Sequence, residues 1–114
     1  MALLRVGPLP EEALAAAARF HAEILPGMRA ALAAMPPHLT LVFPPADHTH
    51  HGWRLSAVQG LAREYAPSRV NAVAGDDEVA IAAALSYLER ADGVTGQVLR
   101  LDGLGAGKVV STTP

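Results

Sequence analysis

The first third of the chain combines a short apolar segment with a long amphipathic one. Residues 3–6 form an apolar run that ends at a Gly-Pro pair, which predicts a short strand. From Leu14 to Leu32, apolar side chains recur every three or four residues, which predicts a long helix starting at the proline and acids of residues 10–12. Because Pro26 lies inside this pattern, we expect the helix to kink or break near Leu25.

Strand-like and helical segments alternate along the rest of the chain. Residues 39–43 are almost continuously apolar, which is typical of a strand buried on both faces of a parallel sheet. Residues 69–74 and 97–101 predict two more strands, and residues 53–65 and 76–90 predict helices between the strands. This order predicts an α/β fold, a partial Rossmann-like arrangement of three layers. Helices would flank a small parallel sheet of three to four strands, joined by right-handed crossovers.

Composition narrows the possible functions. The chain is 51% hydrophobic but only 4% aromatic, and Ala and Leu dominate it, so closely packed helices are expected. Nine Lys and Arg are scattered and the net charge is −2, which disfavours a nucleic-acid partner. The absence of cysteine excludes disulfides and thiolate metal sites. Since no apolar run could span a membrane and no signal-peptide pattern is present, we expect a cytoplasmic protein with no membrane partner.

The most specific motifs lie in the second half of the chain. Residues 56–67 read Ser-Ala-Val-Gln-Gly-Leu-Ala-Arg-Glu-Tyr-Ala-Pro, and residues 69–74 read Arg-Val-Asn-Ala-Val-Ala. Residues 94–103 read Val-Thr-Gly-Gln-Val-Leu-Arg-Leu-Asp-Gly. In this order, the segments resemble the C-terminal half of the short-chain dehydrogenase/reductase (SDR) family, in particular its 3-oxoacyl-carrier-protein reductases. Residues 24–29 resemble the Leu-Pro-x-Met segment of that family's long interface helix.

The resemblance covers residues 14–104. It implies one truncated SDR-like domain over residues 1–114, with a flexible tail at residues 105–114. The family's Gly-rich turn, which cradles the dinucleotide phosphates, has no counterpart here, and the glycines after residue 102 belong to the tail. We therefore expect no cofactor.

The catalytic residues of the family are also replaced. Its Tyr and Lys align with His51 and Leu55, and its Ser aligns with Pro44 and Pro45. The family's Asn falls near Ala13. The resemblance thus implies no reductase chemistry and no catalytic residue, unless His51 acts as a surrogate acid or base.

The resemblance further implies an assembly, because two helices of the family pair with a symmetry mate in a four-helix bundle. We expect a non-catalytic structural or regulatory subunit. It would form a dimer or tetramer, or bind a full-length SDR enzyme of the ketoacyl-reductase type. The sheet edge left free by a missing half also invites pairing. The predicted interface residues are Leu14, Ala17, Ala18, Ile24, Leu25, Met28, Trp53, Val58, Leu61 and Tyr65.

A His-rich segment supports an alternative function. Asp47, His48, His50 and His51 are four potential metal ligands within five residues, and imidazole binds zinc, copper and nickel well. The alternative is an oxidoreductase-like or metal-dependent enzyme that uses this segment at a subunit interface. Because no distant ligand is evident, we favour a solvated loop that is not needed for folding.

Two further polar features have structural interpretations. His21 is expected to be partly buried on the apolar face of the first helix. The acids at residues 76–78 are expected to cap the third helix rather than to bind a cation.

Overall fold

The computed structural model describes residues 2–101 and places them around one parallel sheet. The elements are β1 (Ala2–Arg5), α1 (Ala13–Arg19), a π-helical turn (Phe20–Ile24), α2 (Leu25–Ala33), β2 (His38–Phe43), a 3-10 turn (His48–His50), α3 (His51–Glu64), β3 (Arg69–Ala74), α4 (Glu78–Arg90) and β4 (Val98–Arg100). The strands pair in the order β1-β2-β3-β4, and every pair is parallel. The predicted partial Rossmann-like α/β fold with a small parallel sheet is confirmed. The predicted tail at residues 105–114 lies outside the described residues.

The break predicted near Pro26 is a π-helical turn. The Leu25 N–H donates to the Phe20 carbonyl, five residues earlier. Pro26 follows in the first turn of α2, and because a proline has no N–H to donate to the preceding turn, the regular helical hydrogen-bond pattern is interrupted here. The π turn carries Phe20 into the core, whereas His21 is exposed, which corrects the expectation of a partly buried His21. The His21 ring is held by its own helix, with Nδ1 2.7 Å from the Ala17 carbonyl oxygen.

The two faces of the sheet are covered by different helices. Leu41 and Ala72 pack against α1, α2 and α3, whereas Val42 and Val73 pack beneath α4. Since the sheet grows in one direction from β1 to β4, the connection through α4 has the opposite hand to the two before it. Because nearly all such connections are right-handed, we assign the right hand to the two earlier connections. The connection through α4 is then a left-handed crossover. The expectation of right-handed crossovers throughout was wrong, because both faces of β3 are apolar and the pattern does not say which face each helix covers.

Polar side chains of β3 hold the connection between α4 and β4. The Asn71 side chain donates to the Val94 carbonyl at 2.9 Å and accepts from the Gln97 N–H at 3.0 Å. The Arg69 guanidinium donates to the Leu88 and Ala91 carbonyls at the end of α4, which also accept from backbone N–H groups of the following turn. The Arg-Val-Asn-Ala-Val motif thus positions β4 beside β3.

No helix within residues 2–101 has the length and apolar character needed to cross a membrane.

Candidate functional site

A cavity of about 400 Å³ opens at the carboxyl ends of β2, β3 and β4. Ligands of open parallel α/β sheets bind at this edge. One wall is the segment after β2 with the first turn of α3, and the other is formed by the ends of β3 and β4. Gly75 is required here, because a Cβ at this position would lie 2.9 Å from the Leu101 carbonyl oxygen. The lining residues are Pro45, Ala46, Asp47, His48, His50, His51, Arg54, Ala74, Gly75, Asp76, Val98, Arg100 and Leu101.

Arg54 is the buried charged residue of the cavity wall. Its side chain projects from the first turn of α3, and the residue is only 4% exposed. One terminal nitrogen donates to the Pro44 carbonyl at 3.0 Å, and the guanidinium carbon lies 4.5 Å from the centroid of the Phe43 ring. Nε is buried without a hydrogen-bond partner, and no carboxylate within residues 2–101 forms an ion pair with Arg54. Burial lowers the pKa of Arg54 below its usual range, although a guanidinium keeps its proton at neutral pH.

The His-rich segment is held by hydrogen bonds within it and by two that reach outside it. Asp47 caps the 3-10 turn, accepting from the Thr49 N–H at 2.9 Å and from the Thr49 hydroxyl. These bonds lower the pKa of the Asp47 carboxyl. His50 is buried, with Nε2 2.8 Å from the Glu11 carbonyl oxygen and Nδ1 accepting from the Trp53 indole N–H at 3.2 Å. The expectation of a solvated loop was wrong for His50, because its partners lie outside the segment and could not be seen in the local pattern.

The positions that resemble the family's catalytic residues lie beside the cavity. His51 begins α3 and lines the cavity, and its Nδ1 is buried without a partner among the described residues. Leu55 lies one turn further along the same helix, and Pro44 and Pro45 directly follow β2. At this edge of the sheet, His51 therefore stands where the resemblance places the family's Tyr, and Pro44 and Pro45 stand where it places the Ser.

The candidate metal ligands do not converge. Within residues 2–101, no three His, Asp or Glu side chains are placed to hold a metal ion together. Both ring nitrogens of His50 are engaged, and His48 is exposed. Of the acids at residues 76–78, Asp77 caps α4 by accepting from the Val79 N–H, as a helix start requires.

The predicted interface residues separate into core and surface. Met28, Val58 and Leu61 lie in the core of their own chain, which corrects their assignment to an interface. The sequence pattern could not distinguish a helix face that packs on the sheet from one that packs on a partner. Trp53, Ile24, Leu25, Tyr65 and Ala17 are partly buried, whereas Ala18 and Leu14 are exposed, Leu14 by 79%.

A buried polar cluster at the opposite end of the sheet went unpredicted. His38 is 2% exposed, and its Nε2 lies 3.1 Å from both the Thr40 hydroxyl and the Asn71 amide nitrogen. Because that amide nitrogen can only donate, Nε2 accepts and the ring proton sits on Nδ1. Burial, assisted by the charge of Arg69, lowers the pKa of His38 to about 4. Arg54 was missed too, although it continues the spacing of Val58 and Leu61 on the buried face of α3.

Comparison with known proteins identifies the family. Residues 4–101 match the SDR-like family described as "Short chain dehydrogenase-like protein". No curated protein and no solved structure is significantly similar to the chain. The match covers both helical layers, the whole cavity wall and nearly all of the sheet. The chain therefore belongs to the short chain dehydrogenase-like protein family.

Proposed function

We propose that the chain is an SDR-like subunit that lacks reductase chemistry and works by associating with another chain. The resemblance to 3-oxoacyl-carrier-protein reductases supports the first part, since His51, Leu55, Pro44 and Pro45 occupy the positions of that reaction's side chains. A Leu cannot replace a Lys that lowers the pKa of a Tyr and holds a nicotinamide ribose.

The outer edge of β1, with which no other strand of residues 2–101 pairs, carries the proposal of association. The Val6 N–H donates to the Val42 carbonyl at 2.9 Å, so the backbone N–H groups of Leu3 and Arg5, on the alternate positions, point away from β2. Leu3 is also 45% exposed, on the sheet face where the apolar cluster beneath α4 includes residues of β2 to β4. The start of α4 contacts β1 through the ion pair of Arg5 and Glu78 at 3.0 Å. An open edge next to an uncovered apolar side chain is a surface that pairs with another strand.

A second copy of this chain is the partner that this edge fits most simply. Two β1 strands related by a two-fold axis run antiparallel, so each copy offers the same N–H and carbonyl groups to the other. A longer relative whose sheet ends in a free strand would use the same edge.

Sedimentation velocity tests the association. We expect the wild-type chain to dimerise at tens of micromolar, and Leu3→Lys to be a monomer, because a charge on an edge strand opposes pairing. Tyr87→Lys is the matched control, since Tyr87 is exposed toward the end of α4, where Arg69 of β3 binds the helix, and this variant should dimerise like the wild type. Leu14→Glu tests the helical bundle instead. A dimer lost only in Leu14→Glu, or a wild-type chain that neither self-associates nor binds a longer relative, would contradict the role of the edge.

Calorimetric titration tests the lost chemistry. We expect neither NADH nor NADPH to bind with micromolar affinity, because the sequence contains no glycine-rich phosphate cradle. Tight, saturable binding of either nucleotide would contradict the proposal.

The position of His51 favours the second candidate function, an enzyme that uses the His-rich segment. His51 lines the cavity, and an imidazole there can act as an acid, a base or a ligand. A chelator should leave the melting temperature of the proposed subunit unchanged. A large chelator-induced decrease that disappears in a His48→Ala, His51→Ala double variant would favour a metal-dependent enzyme.

A further inference from the structure

Arg54 is a buried cation whose own chain, over residues 2–101, supplies no anion. It donates to one backbone carbonyl and lies against the Phe43 ring, while its Nε–H is buried and has no hydrogen-bond partner in the described part of the chain. Removing a charge from water without a counter-charge is costly. A guanidinium retained in such a place is suited to bind an anion, because its parallel N–H groups match the two oxygens of a carboxylate or phosphate.

The cavity beside Arg54 is large enough for that anion and for an apolar body attached to it. Its volume of about 400 Å³ is within the range of small-molecule sites. Ala74, Val98 and Leu101 supply apolar lining. Arg100, which is exposed, adds a second positive charge.

The acidic residues of the cavity leave its buried part positive. Asp47 and Asp76 are both exposed, and the carboxylate of Asp47 is engaged by Thr49. Arg54 is the buried charge, and charges act more strongly where water is excluded. An anion can therefore approach Arg54 while the aspartates remain solvated.

We propose that Arg54 binds the carboxylate or phosphate group of a small ligand whose apolar part fills the cavity against Val98 and Leu101. This site is independent of the β1 edge, so it stands whether or not the chain associates. Binding requires no reaction, and the ligand class follows from the guanidinium and the apolar lining alone.

An NMR titration tests the site directly. Butyrate, added to the ¹⁵N-labelled chain at constant ionic strength, should shift the Nε–H resonance of Arg54 and the amide of Gly75 in a saturable way. Butyramide has the same shape without the charge and should shift neither. Inorganic phosphate, in a separate titration, shows which of the two anionic groups is preferred. Saturation by either anion supports the proposal, and the absence of saturable shifts with both anions overturns it.

Variants with opposite expected effects sharpen the test. Arg54→Lys keeps the charge but loses the paired N–H groups, so affinity should fall about tenfold or more, as expected when a charge-assisted hydrogen bond is lost. Asp76→Asn removes a negative charge from the rim and should tighten binding severalfold. Arg63→Lys is the matched control, because Arg63 is exposed on the same helix, and it should bind like the wild type. If Arg54→Lys does not fold, the Asp76→Asn and wild-type titrations decide, and unchanged affinity in Asp76→Asn contradicts the proposed position of the anion.

Discussion

Among single residues, His38 couples the fold to pH. Its pKa of about 4 in the folded chain lies below the ordinary value of 6.5 that it regains on unfolding. Between these values the unfolded chain binds a proton that the folded chain does not. The free energy of unfolding should therefore be unaffected by His38 above pH 6.5 and fall, by up to about 3 kcal/mol, as the pH is lowered toward 4.

Urea denaturation at a series of pH values measures this effect. His38→Gln removes the titrating group, so its stability should change less than that of the wild type between pH 6.5 and 4. His48→Gln, at an exposed histidine, is the control and should follow the wild-type profile. Parallel profiles for wild type and His38→Gln would show that His38 is not held neutral by its surroundings.

His50 ties the start of α3 to the segment before α1. His50→Ala would leave the Glu11 carbonyl and the Trp53 indole N–H without their partners, so we expect a loss of roughly 1–3 kcal/mol in the free energy of unfolding. His48→Ala, two residues away and exposed, should cost about 0.5 kcal/mol or less. Equal effects in denaturant titrations would contradict a structural role specific to His50.

At the residue scale, the sequence pattern located the His-rich segment correctly but did not show what its side chains bind. The sequence placed the His-rich segment after a strand, which is where the cavity lies. It could not show that Glu11 and Trp53 engage His50, because a hydrogen bond between residues 39 positions apart leaves no periodic signal. Arg54 was overlooked for a related reason, since its burial depends on β2 and the cavity wall rather than on its neighbours in the chain.

At the scale of elements, apolar periodicity was the reliable signal. Both central strands were predicted to within a residue, because buried parallel strands are continuously apolar and end at turn-forming residues. The position of the helix break followed from Pro26. The side of the sheet covered by α4 did not follow, since either face of an apolar strand can receive a helix.

Arg69 acts on α4 as a whole. Its guanidinium donates to the carbonyls of Leu88 and Ala91 at 3.0 and 2.8 Å, which places a charged donor at the negative end of the helix beside the backbone bonds already there. We expect Arg69→Met to lower the free energy of unfolding by about 1–3 kcal/mol and to speed amide exchange in the last turn of α4. Since the Arg69 charge lowers the pKa of His38, the same variant should raise that pKa.

Arg90→Met is the control for this change. Arg90 lies in the same last turn but, within residues 2–101, donates only to the exposed Ser86 hydroxyl, so its loss should have little effect. Equal destabilisation by both variants would show that helix charge, rather than the carbonyl bonds of Arg69, stabilises the end of α4.

At the scale of the whole molecule, the sheet has two features that face outward. Its carboxyl edge carries the cavity and Arg54, and its lateral edge is the side of β1 that no strand within residues 2–101 pairs with. Sequence resemblance indicated an assembling scaffold without the family's catalytic side chains. It could not separate a helix face that packs on a partner from one that packs within the chain, because Ala, Leu and Val serve for both.

Amide exchange of β1 as a function of protein concentration tests the proposed association most directly. The amides of Leu3 and Arg5 point outward, whereas that of Leu4 lies on the side of β2 and serves as an internal reference. If β1 pairs with a second copy, exchange at Leu3 and Arg5 should slow markedly from low to high micromolar concentration while Leu4 changes little. Exchange at Leu3 and Arg5 that stays fast at every concentration would contradict association of the chain with itself through this edge.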